Sequence, residues 1–315
     1  MKTIHVIISL AVLAGSVGCG RVPESDDVRP VSFTELELPA ATSTPRHAAT
    51  VTLMPGCGGH PGAPMVQVAS LEGRQYCIDT TEVTQAQYAE FLSENDSTPG
   101  AENERCLHNR TFAPTQNVSY PHEPANCPAE LWSPKNKPDT PVVCVDWCDA
   151  VAYCHWAGKR LCGFAEQPDD VTTDRDDANK SEWFNACTNG GVSQFPYGDI
   201  HDPVACLGAE RTRAAYQVAT DAISPASGRP RCKGDRPPFS SIFDLSGSVR
   251  EWTDECKWVA TPRGGSWWCA LRGGDYLSRD DDMACNARGK RGVGTTSAHI
   301  GFRCCADPVP KEARQ

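Results

Sequence analysis

Long apolar runs, basic clusters and sustained helical periods are all scarce in this chain, and each scarcity excludes something. The longest largely apolar run, Val6 to Val17, is shorter than the roughly 20 residues a membrane-spanning helix requires. Nowhere do Lys and Arg cluster with interleaved aromatics, and 30 basic against 40 acidic side chains give a formal charge of −10. That balance argues against nucleic acid as a partner. Few segments are long and periodic, so helices should be few, strands short and irregular loops abundant.

Cysteine, in contrast, is plentiful, with 17 in the chain. The start of the chain says where they work. Lys2, the apolar run and the small residues before Cys19 read as a secretory signal over residues 1–18. Those small residues also resemble a bacterial lipoprotein signal, in which Cys19 becomes the lipidated N-terminus. Ser16 stands where a leucine is usual, and plain secretion is the alternative. The expected location is therefore outside the cytoplasm, periplasmic or at the cell surface, with the membrane touched only through a lipid on Cys19. An exported chain meets no thiol-reducing pool, so its cysteines should form disulfides. Without Cys19 the 17 become 16, an even number.

Residues 19–62 are rich in Pro, Ser and Thr without apolar period and read as a flexible tether. A folded domain is expected over 63–310, with a short tail at 311–315. "MVQVASLEGRQYCIDTTEVT" should supply two strands, and "TQAQYAEFLSEN" a helix with Thr84 as its N-cap. The proline-studded stretch from Asp96 to Asp139 is expected to be a disulfide-tied loop. "PVVCV" reads as a short strand, after which Asp146 should cap an amphipathic helix ending at Gly158. "NKSEWFNACTNGG" looks like a third short helix closed by Asn189 and a glycine pair.

Five stretches, in order, resemble the sulfatase-modifying-factor, or formylglycine-generating-enzyme, domain family. They are "YCIDTTEVTQAQYAEFL", "PVVCVDWCDAVAYCHWAGKRL", "SIFDLSGSVREWTDE", "RGGSWW" and "IGFRCCAD". The resemblance implies an α/β (α+β), loop-rich single domain of the formylglycine-generating-enzyme type, related to the C-type lectin fold. It implies disulfides Cys154–Cys304 and Cys187–Cys285. Sequence proximity alone suggests Cys57 with Cys77, Cys106 with Cys127, Cys206 with Cys232 and Cys256 with Cys269.

The resemblance also implies a calcium ion in "DLSGSVRE", held by the Asp244 side chain, the Gly247 and Val249 carbonyls and the Glu251 carboxylate. Hard oxygen ligands suit calcium. Read without the family, Asp244 would cap a turn and Glu251 would be a solvated partner of Arg250.

Enzymes of this family hold copper(I) with two thiolates, one just after the Gly-Gly-Ser-aromatic strand and one five residues later. Soft thiolates select that soft ion. Here the first position is Cys269, but the second is Gly274, or Asp280 when counted back from Cys285. Copper is therefore not expected. Cys269 is left as a structural half-cystine, a retained free thiol or a ligand in a rearranged copper site. Ser266 and Cys269 are the catalytic candidates only if oxidase chemistry survives, and no histidine near Ser266 in sequence would activate it. The run Asp280–Asp282 reads as a solvated loop.

The resulting expectation is an exported, lipid-anchored, calcium-stabilised module that binds a protein or peptide ligand. Trp267, Trp268 and Tyr276 are its candidate contacts, and core packing is the alternative for the two tryptophans. The competing expectation is a divergent oxidase that converts a sulfatase cysteine to formylglycine.

Overall fold

The computed structural model describes residues 56–95, 99, 103–114, 127–166, 171–210, 223–261 and 264–309. The signal, Cys19 and most of the expected tether lie outside the described residues. The described body begins earlier than the sequence suggested. Cys57 is bonded to Cys77, and Val309 N–H donates to Gly56 O, so residues 56–62 are tied down instead of forming the end of a free tether.

The alternating apolar residues of β1 (Met65–Ala69) and β2 (Gln75–Asp79) pair as an antiparallel hairpin, Met65 opposite Asp79. Thr84 then starts α1 (Gln85–Glu94) with a reciprocal cap: Gln87 N–H donates to Thr84 Oγ1, and Thr84 N–H to Gln87 Oε1 at 2.9 Å. Asp146 and Asp149 repeat the arrangement at the start of α2 (Trp147–Trp156). Each such cap contributes about 1 kcal/mol. Then follow β3 (Arg160–Leu161), α3 (Val171–Asp174) and α4 (Glu182–Cys187). The helix expected in "NKSEWFNACTNGG" is α4, with Asn189 in the left-handed region beyond it.

The C-terminal part is β4 (Arg250–Thr261), β5 (Gly264–Arg272), β6 (Gly289–Gly292), β7 (Ile300–Phe302) and β8 (Cys304–Ala306). One sheet has the order β1-β2-β8-β3 and the other β6-β5-β4-β7, in which only β4 and β7 run parallel. The architecture is mixed α+β and sheet-rich, with few helices. Strands β7 and β8 belong to different sheets and are separated by Arg303 alone. Tyr88, Phe91, Tyr153 and Phe302 form a fully buried aromatic cluster between α1, α2 and β7.

Two sequence expectations fail. "PVVCV" is not a strand: Pro141 makes an isolated bridge to Thr84, and Cys144 sits at φ 63. A left-handed residue breaks the pleat. Cys106 does not pair with Cys127. Cys106 ends a 3₁₀ turn that lies against the first turn of α2 and bonds Cys148, while Cys127 bonds Cys144. Nearness in sequence misled because packing of the 3₁₀ turn against α2, and not the length of the intervening chain, sets the partner of Cys106.

The other bridges are Cys57–Cys77, Cys154–Cys304, Cys162–Cys305, Cys187–Cys285, Cys206–Cys232 and Cys256–Cys269. No cysteine among the described residues is free.

Candidate functional site

Strands β4 and β5 make the long hairpin on which the site is built. Its register begins with Glu251 opposite Arg272 and Trp252 opposite Leu271 and continues, after a bulge, with Cys256 opposite Cys269. In the first register Cys269 would face Asp254. The two extra residues on β4 bring Cys256 there instead, and a disulfide joins the pair with a Cα–Cα distance of 4.0 Å. Bulges re-aim the side chains they carry. In this one Asp254 points outward, while Glu255 is buried and accepts from Arg272 at 2.7 and 2.9 Å.

Cys269 is buried, but half-buried Cys256 lines a cleft of about 460 Å³. Its walls are Arg105, Arg160, Asp254 and Trp267. The Arg105 guanidinium lies 4.2 Å from the Trp267 ring centre and 5.5 Å from that of Trp147, and it pairs with Asp254 at 3.0 Å. Cation–π contact of this kind is worth about 0.5–1 kcal/mol when exposed and more when dry. Arg160 forks onto both oxygens of Glu182 at 2.6 and 2.7 Å and reaches Asp307 at 2.9 Å. The Arg105 side continues into a neighbouring hollow beside His155.

The remaining sequence candidates are placed as follows. Ser266 Oγ accepts from Trp268 Nε1 at 2.8 Å, the role of a strand residue. Trp267 and Trp268 are both half-buried and point to opposite sides of β5, Trp267 into the cleft and Trp268 away from it. Tyr276 is corrected as a contact candidate: it is 2% exposed, packed in a core cluster with its ring 5.0 Å from that of His299. Gly274 has φ +70, and a Cβ there would stand 2.4 Å from Asp282 O. That backbone cannot present a cysteine without moving. Asp280 starts an exposed 3₁₀ turn, with His201 Nδ1 3.4 Å from its carboxylate.

In the turn expected to hold calcium, Asp244 (φ 60), Gly247 (φ 73) and Ser248 (φ 59) are all left-handed. A Cβ on residue 247 would meet Leu207 O at 2.2 Å, so glycine is required. Asp244 accepts from Ser227 N–H at 2.7 Å, and burial pushes its carboxyl up to about 6. Glu251 spends both oxygens: Arg303 donates at 2.7–3.0 Å and Trp183 Nε1 at 2.8 Å. Glu82 is also fully buried, and no donor of another residue reaches either of its oxygens among the described residues. Its carboxyl is held well above the ordinary range by burial and then by Asp244, with Arg303 acting against them. Three carboxylates thus surround one guanidinium.

Sequence reasoning missed Arg105, Arg160 and Glu82. An arginine beside a cysteine carries no signal of its own, and Glu82 in "DTTEVT" looks like a surface turn residue.

Residues 48–308 match the family described as the sulfatase-modifying factor enzyme 1-like domain. The formylglycine-generating enzyme of Mus musculus is 24% identical over 348 aligned residues, covering 95% of this chain and 88% of that protein. That of Thermomonospora curvata is 26% identical over 269, covering 74% and 82%. The inactive C-alpha-formylglycine-generating enzyme 2 of Mus musculus is 29% identical over 188, covering 56% and 53%.

Proposed function

Because the chain belongs to the sulfatase-modifying factor enzyme 1-like family, we propose that it uses the family's cleft to bind a protein or peptide ligand, without the copper oxidase chemistry. The observation that supports this reading is the Cys256–Cys269 bond. A sulfur held in a disulfide is not a thiolate donor, and neither Gly274 nor Asp280 supplies another sulfur. The cleft keeps what a binding surface needs: an aromatic wall at Trp267 and the Arg105 and Arg160 guanidinium groups. The similarity to an inactive relative is in keeping with it.

A second reading is favoured by one feature of the same bond. Cys256 stands directly opposite Cys269 and borders the cleft, so reduction would leave two sulfurs side by side, and the chain would then be a divergent formylglycine-generating oxidase acting on a cysteine of an exported sulfatase. Thiol titration of the purified, unreduced protein separates the two. No titratable thiol and no Cu(I) uptake is the expected result. Two thiols with tight Cu(I) binding, lost in Cys256→Ser, would establish the oxidase instead.

Calcium at the 244–251 turn is part of the proposal. Glu82, Asp244 and Glu251 outnumber the one Arg303 guanidinium, and a divalent cation would favour the ionised form of the two carboxyls that burial pushes toward the neutral form. Since Arg303 and Trp183 engage Glu251, the carboxylates with lone pairs to spare are Asp244 and Glu82, joined by the Gly247 and Val249 carbonyls. Adding calcium to chelator-treated protein should raise Tm, because a ligand that binds only the folded state stabilises it. Asp244→Ala should abolish that rise. An unchanged Tm in the parent protein would rule calcium out.

The disulfides suggest an extracytoplasmic protein. No helix of the described residues is long and apolar enough to cross a membrane. Lipidation of Cys19 remains our proposal for its anchoring.

A further inference from the structure

On the side of β5 away from the cleft lies a second groove, of about 300 Å³, between α3 and the face of the β4–β5–β6 sheet. Its floor is apolar, made by the Trp268 ring and Ala270, and its rim is basic, made by Arg175, Lys257, Arg288 and Lys290. Glu255 is the one acidic residue of the lining among the described residues, and it is already engaged by Arg272. Asp176, just outside, is shared by Arg272 at 3.1 Å and Arg288 at 3.2 Å. Lys257 and Lys290 have no carboxylate partner among the described residues; Lys290 Nζ sits 5.9 Å from the Trp268 ring centre.

Arg175 shows the surplus most directly. It is 8% exposed, and its Nε has no hydrogen-bond acceptor among the described residues, the nearest carboxylate oxygen being Asp176 Oδ1 at 3.8 Å. Burial, then repulsion from Arg272, hold its pKa below the ordinary value. Its positive charge is thus left without a close acceptor at the edge of the groove that it lines. On a chain of net charge −10, this is a local excess of positive charge over an apolar floor.

We propose that this groove binds a small organic carboxylate with an apolar body. The body lies against Trp268 and Ala270, and the carboxylate accepts from Lys257, Lys290 and Arg175. A volume of about 300 Å³ is at the lower end for small-molecule sites, which favours one compact ligand over an extended chain. The inference does not depend on the reading of the cleft.

Titration of the full mature protein with 2-naphthoate and with its neutral counterpart, 2-naphthalenemethanol, tests it. The carboxylate should bind at least about tenfold more tightly, with a preference that shrinks as salt is raised, because exposed charges are screened. Lys257 and Lys290 are exposed, so the double Lys257→Ala/Lys290→Ala variant should keep its Tm and lose about tenfold in naphthoate affinity. Equal binding of the alcohol, or undiminished naphthoate binding by the double variant, would overturn the proposal. So would an oligoglutamate peptide that outcompetes naphthoate at equal carboxylate concentration, which would make the groove a protein-docking surface.

Discussion

Breaking Cys154–Cys304 and Cys162–Cys305 together will cost more than the two single losses added. The bridges close almost the same loop, with sequence separations of 150 and 143, and both end on β8. While one stands, the other closes only a ring of roughly ten residues, so either single Cys→Ser pair should cost about 2–3 kcal/mol on the chain-entropy account. With both gone, the shortest remaining connection runs through Cys187–Cys285 and closes a ring of roughly 50 residues, and the combined cost rises to about 7 kcal/mol. That is comparable with the whole stability of many domains. Denaturant unfolding under non-reducing conditions measures all three variants. A double loss no larger than the sum of the singles would show that the stabilisation is not mainly loop entropy.

Glu251→Ala should be the most damaging single substitution outside the disulfides, at about 3–5 kcal/mol, because it strands a charge that cannot reach water. Arg303 is 0% exposed and Glu251 1%. Arg303 stands where the chain passes from one sheet to the other, and it also donates to Asp79 O and Phe243 O, so it ties β7 and β8 to both sheets and to the 244–251 turn. Glu251→Gln retains acceptors and should cost less. Replacing both partners, as in Glu251→Leu/Arg303→Met, should recover part of the loss, because the guanidinium is then no longer stranded, although Glu82 and Asp244 lose the cation that faces them. The check is the midpoint and slope of urea unfolding; a loss under about 1 kcal/mol for Glu251→Ala would mean that the guanidinium is hydrated.

Much of the scaffold was legible because it depends on neighbours. The capping residues Thr84 and Asp146, the β1–β2 hairpin and the short helix before Asn189 all rest on contacts within a few residues. The pairings Cys154–Cys304 and Cys187–Cys285 could be named only through resemblance, since nothing local distinguishes one cysteine's partner. Cys106 is the counterexample: sequence proximity points to Cys127, and the spatial neighbour Cys148 is the partner. Tyr276 looked like a cleft residue from its place just after β5, yet the chain turns it into the core beside His299.

The sequence by itself determined that positions 274 and 280 offer no sulfur, that the chain carries an excess of acid, and that its turns and caps lie where they do. Each of those is a property of one residue or of a few adjacent ones. Only the tertiary structure decided that Cys269 is bonded to Cys256, that Glu82 is buried beside Asp244, and that Arg303 links two sheets. The physical reason is register. Two extra residues in β4 move Cys256 into the place Asp254 would have held opposite Cys269, and such a shift exists only once the two strands are paired.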